Sequence, residues 1–80
     1  MGIHVGKMIG EVLKRRGMAK AEFGRRLSCA RQNVYRILEA ESIDTVMLEK
    51  ICNVLECNLF AMIAEEIEKG EKKGEKGREG

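Results

Sequence analysis

KAEFGRRLSCARQNVYRI, residues 20–37, decides how the rest of the chain is read. Phe23, Gly24 and Leu27 recur three and four apart, so they share one face of a short helix. Val34 and Ile37 do the same for a second helix. Between the two, Ser28, Cys29 and Ala30 leave room only for a turn. Gly24 is small enough for the second helix to cross closely over the first. The outward face of that second helix is left with Arg31, Gln32, Tyr35 and Arg36.

Two short helices joined by a tight turn, the second presenting polar side chains outward, form a helix-turn-helix. In that motif the second helix enters the major groove of DNA. The charge pattern agrees. From Lys14 to Arg36 there are eight Lys/Arg against one acid, Glu22, a net +7. From Ile37 to Glu68 there are eight acids against one base, Lys50, a net −7. The whole-chain charge of +2 therefore hides a basic half that coincides with the motif, as a phosphate footprint requires.

Working outward, the spacing predicts an all-α bundle of five short helices. Val5, Ile9, Val12 and Arg16 carry helix one, from about Val5 to Arg16, and Gly17 stops it in a left-handed conformation. Gly6 and Gly10, four apart, either admit a close neighbour or are merely tolerated. Helix two runs from about Lys20 to Leu27 and helix three from about Arg31 to Leu38, each after an alanine where a capping side chain is preferred. Asp44 caps helix four, from about Thr45 to Leu55, with Leu48, Ile51, Cys52 and Leu55 inward. Asn58 caps helix five, from about Leu59 to Lys69. Its first turn, LFAMIA, is apolar all round and suggests two burial surfaces. Leu59 and Met62 follow the core phase. Phe60, Ile63 and Ile67 form a second stripe suited to a twin helix in a homodimer.

The 80 residues thus make one domain, residues 1–69, followed at 70–80 by GEKKGEKGREG, a Gly/Lys/Glu segment without an apolar residue, expected to be a disordered tail. Such a chain leaves no room for a separate domain that senses a small molecule. The three cysteines are odd in number, show no C-x-x-C spacing and read as reduced structural thiols of a cytoplasmic protein. His4 reads as a surface residue. With one His and scattered thiols no metal ligand set emerges, and no cofactor motif appears. No run approaches a membrane span or a signal peptide. No carboxylate pair, Cys–His pair or phosphate loop points to an enzyme.

The chain resembles the Cro/repressor-type, or xenobiotic-response-element-type, helix-turn-helix proteins of prokaryotes and their phages. The resemblance runs from about Val5 to Ile63. It is carried by Val5-Gly6, Ile9 and Gly17-Met18, by Glu22-Phe23-Gly24, and by Leu27, Cys29, Arg31, Val34 and Arg36-Ile37. Leu48, Ile51-Cys52, Leu55, Leu59 and Met62 complete it. The sequence departs from the family at six positions. Ser28 stands where the turn usually has Gly, and Lys20 replaces the usual Gln. Ala19 and Ala30 replace the usual caps. Glu39 and Glu41 make the link after helix three acidic.

The resemblance implies a small transcriptional regulator, a repressor, located on the nucleoid. It would bind an inverted-repeat operator in double-stranded DNA as a weak homodimer. On the second helix, Arg31 and Arg36 suit guanine, Gln32 suits adenine, and Tyr35 suits a thymine methyl or a phosphate. Lys20, Asn33, Arg25 and Arg26 are placed for phosphate. The other class the residues leave open is a protein-interaction module, antitoxin-like or an adaptor, docking through the acidic half.

Overall fold

The structure, a computed structural model, describes the backbone of residues 3–74 and side chains through Lys69. Among the described residues there are five helices and no strand: α1 (Val5–Arg16), α2 (Lys20–Leu27), α3 (Arg31–Glu39), α4 (Thr45–Leu55) and α5 (Leu59–Gly74). The all-α expectation holds, and four helix starts and ends match to within a residue. Helix five continues to Gly74, past the expected end at Lys69. Glu71, Lys72 and Lys73 are good helix formers, and the absence of apolar residues does not stop a helix already nucleated. The remainder of the expected tail, residues 75–80, lies outside the described residues.

Every helix contributes to one core. Ile9 from α1, Phe23 from α2, Val34 from α3, Ile51 and Leu55 from α4 and Leu59 from α5 are all fully enclosed. Burying a side chain of this kind is worth about 1.5–3 kcal/mol each, so this small cluster supplies a substantial part of the driving force. α1 and α2 pack on α3, and α2 packs on α4. The second half of the chain thereby holds the motif from behind.

Of the described glycines, Gly6 has the closest neighbours. A Cβ there would strike the carbonyl oxygens of Leu38 and Ile37. Nothing lies within 4 Å of a Cβ built on Gly10. The helical spacing of the two glycines therefore carries one close contact, not two. The same approach lets the amides of Val5 and Gly6 donate to the carbonyls of Glu41 and Ala40, at 3.1 and 2.9 Å. The acidic link thus sits on the positive end of α1, which has no acid in its own first turn. His4 also serves this end: its Nδ1 accepts from the Lys7 amide at 3.1 Å, so it is the N-cap of α1 rather than a plain surface residue.

Among the described residues, three take the left-handed conformation that stops a helix. Gly17 (φ 65°) and Ser28 (φ 59°) stand where the sequence places them. Glu56 (φ 53°) closes α4 and was not legible. Its carbonyl accepts from the Arg16 guanidinium at 3.0 Å, so the end of α1 ties down the end of α4. A glutamate is unfavourable there twice, through its Cβ at positive φ and through a negative charge at a helix C-terminus. Glu56→Gly keeps the backbone carbonyl that Arg16 holds. It is expected to raise stability by about 0.5–1 kcal/mol, a melting shift of roughly 2–6 °C measurable by thermal denaturation.

Candidate nucleic-acid interface

The geometry of the motif follows from small contacts. A Cβ on Gly24 would lie 2.9 Å from Cγ2 of buried Val34, so α2 and α3 cross more closely than a larger residue at this position would permit. The turn is locked by the Cys29 amide donating to the Gly24 carbonyl at 2.9 Å and by the Ser28 amide donating to Arg25 at 3.1 Å. With Val34 facing the core, the opposite face of α3 is set: Arg31, Gln32, Asn33, Tyr35 and Arg36 are all exposed. Tyr35 is 48% exposed, the only aromatic ring on this surface.

The helix caps divide along functional lines. α1, α4 and α5 each have a side-chain acceptor at the start: His4 on Lys7, Asp44 on Met47 at 2.8 Å and Asn58 on Ala61 at 3.1 Å. α2 and α3 have none, because Ala19 and Ala30 stand at their N-caps. Each missing cap forgoes about 1 kcal/mol. What remains is a pair of helix ends with open backbone amides and positive dipole ends, both within the basic half of the chain. Such ends take phosphate oxygens.

Lys20 lies at the first position of α2, and its Nζ sits 5.8 Å from the centroid of the Tyr35 ring. A cation over a ring face is worth about 0.5–1 kcal/mol at an exposed site. This contact bridges the start of α2 to the middle of α3. Two residues expected in different roles, phosphate and base, thereby form one unit. Arg26 is engaged instead by Glu22, with Nη2 to Oε2 at 2.7 Å and Nε to the same oxygen at 3.0 Å. This i,i+4 pair cancels one charge of the basic half. Arg25 makes no such pair among the described residues and keeps its charge for solvent or phosphate.

The i,i+4 spacing of Glu22 and Arg26 is a local signal for this pair. The Lys20–Tyr35 contact spans fifteen positions and two helices, and no local spacing signals it. Of the residues expected at a dimer surface, Phe60 and Ile67 are exposed at 42% and 48%, whereas Ile63 is half buried against the core. Among the described residues no group of three or more His, Cys, Asp or Glu side chains gathers as a metal site. No helix of the described residues is long and apolar enough to cross a membrane.

Comparison with known proteins agrees with this geometry. The family model of the Cro/C1-type HTH DNA-binding domain matches residues 8–60. No curated protein and no solved structure matches the chain. The match spans α2, the turn and α3 entirely, together with Ile9, Val12 and Leu13 of α1 and the core residues of α4. The chain therefore belongs to the Cro/C1-type helix-turn-helix DNA-binding domain family.

Proposed function

We propose that the chain is a sequence-specific transcriptional repressor that inserts α3 into the major groove of double-stranded DNA. The observation that carries this reading is the exposed α3 face flanked by two uncapped helix N-termini. Arg31 and Arg36 reach guanine edges and Gln32 an adenine edge, since these side chains match those donor and acceptor patterns in pairs. Tyr35, beside Lys20, meets a thymine methyl or the neighbouring phosphate. Lys20, Asn33, Arg25 and the amides at the start of α2 and α3 hold phosphate, with Arg26 contributing less while Glu22 pairs with it. A protein of this size bound over a promoter represses by occupying it, in the cytoplasm on the nucleoid.

One α3 reads too few base pairs to be selective in a genome, so the reading includes a symmetric pair on an inverted repeat. The exposed Phe60 and Ile67, with Ile63 beside them, supply the surface for a twin α5. The stripe is short, so the pair is weak in solution and tightens on DNA.

Phe60→Asp separates pairing from folding. The position lies in the first turn of α5, where a carboxylate is favoured by the helix dipole. The variant is expected to stay folded, to bind a single half-site as the natural chain does, and to lose cooperativity on the inverted repeat. Gel-shift titrations on one and two half-sites measure this. Equal, non-cooperative binding of the natural chain to both DNAs would sink the paired reading. Absence of any salt-sensitive DNA binding would favour a protein-docking module instead.

A further inference from the structure

The corner between α4 and α5 brings two thiols together. Cys52 is in the last turn of α4, and Cys57 follows its left-handed stop, Glu56. The Cys57 amide donates to the Cys52 carbonyl at 3.2 Å. In such a six-residue closure the first and last side chains commonly meet, and here both are cysteines on one depression. A hydrogen bond between the two residues' own backbones suits a disulfide, whose Cα atoms stand roughly 4.4–6.8 Å apart. Both thiols are free and half buried, and both line one open depression beside Asn53, Asn58 and Phe60.

We propose that Cys52 and Cys57 are an oxidisable dithiol, which a peroxide converts to an intramolecular disulfide that loosens the first turn of α5. One thiol gives up its proton and the thiolate attacks a peroxide oxygen; the O–O bond breaks, a sulfenic acid forms, and the expelled hydroxide takes that proton to become water. The second thiol attacks the sulfenic sulfur and expels the second water. Two thiols lose two hydrogens, and one hydrogen peroxide becomes two waters.

In the reduced chain the Leu59 amide donates to Cys52 Sγ at 3.4 Å. Turning that sulfur toward Cys57 removes the acceptor from the amide of Leu59, the first residue of α5. Asn58 still serves Ala61 and Met62 further in. Burial, then Cys52, push the Cys57 thiol above its ordinary value, while Arg16 and Arg15 pull it partly back. A smaller thiolate fraction at Cys57 slows its attack on peroxide. Cys29, in the turn between α2 and α3, is the internal control.

The test treats the full chain with excess hydrogen peroxide, alkylates remaining thiols and maps peptides by mass. A Cys52–Cys57 cross-link with Cys29 still alkylated is expected, together with exchange of the Leu59 amide faster by about tenfold, reversed by dithiothreitol. Cys57→Ala and, separately, Cys52→Ala should abolish both effects. Sulfinic acids, bridges to Cys29 or bridges between chains in place of this cross-link would overturn the proposal. So would a cross-link that leaves Leu59 exchange unchanged. A loss of cooperative DNA binding on oxidation rests on the proposed pairing through α5. If the reduced chain is already non-cooperative, the pairing reading fails, and the mass and exchange results judge the thiol chemistry by themselves.

Discussion

Replacing Arg31, Gln32 and Arg36 together by alanine is expected to abolish selective DNA binding while the domain stays folded. The three side chains are exposed, and none makes a hydrogen bond or ion pair among the described residues. Alanine is also the best helix former, so α3 loses nothing in propensity. Each base-edge contact is worth about 1–3 kcal/mol of discrimination, so the triple variant should lose on the order of a hundredfold or more in specific affinity. Residual affinity for any sequence should persist, because Lys20, Arg25 and the open helix ends remain. Fluorescence anisotropy on operator and scrambled DNA, with circular dichroism as the folding control, measures both parts. Unchanged affinity and preference would show that α3 is not the reading helix.

Gly6→Ala is expected to cost the fold about 3 kcal/mol, at the upper end of what an added methyl does in a packed site. The atoms in the way are the backbone carbonyls of Leu38 and Ile37, which cannot turn aside as a side chain can. Moving α1 outward would also stretch the Val5 and Gly6 hydrogen bonds to the link. A small domain has only about 5–15 kcal/mol in total, so a drop of this size is a large share. Gly10→Ala, in open space on the same helix, should instead stabilise by about 0.5–1 kcal/mol. Urea denaturation of the two variants side by side tests the contact. Equal effects at the two positions would mean that α1 does not dock on the end of α3.

These two glycines also mark where sequence reading stops. Both sit in the same helix with the same local signals, and only the position of Leu38, thirty-two residues on, distinguishes them. The helices, the turn at Ser28 and the exposed face of α3 were legible because each follows from spacing within a few residues. Glu56 was not: glutamate has no leaning toward positive φ, and its conformation is held by Arg16, forty residues earlier. The role of His4 was missed because His is a less common cap than Asp or Ser. Lys20 and Tyr35 were each legible as interface residues, but their contact needs the crossing of α2 over α3. The uncapped ends at Ala19 and Ala30 were visible as a local deficit. They acquire a functional sense only beside the three helices that are capped.

The central claim is that α3 reads DNA sequence from the basic half of the domain. Selection of bound sequences from a random double-stranded pool, at two salt concentrations, tests it most directly. One inverted-repeat motif should emerge at both salts. Its half-site centres should lie about 34 Å apart, and retention should be weaker at the higher salt. A selected pool with no common motif at either salt would contradict the claim.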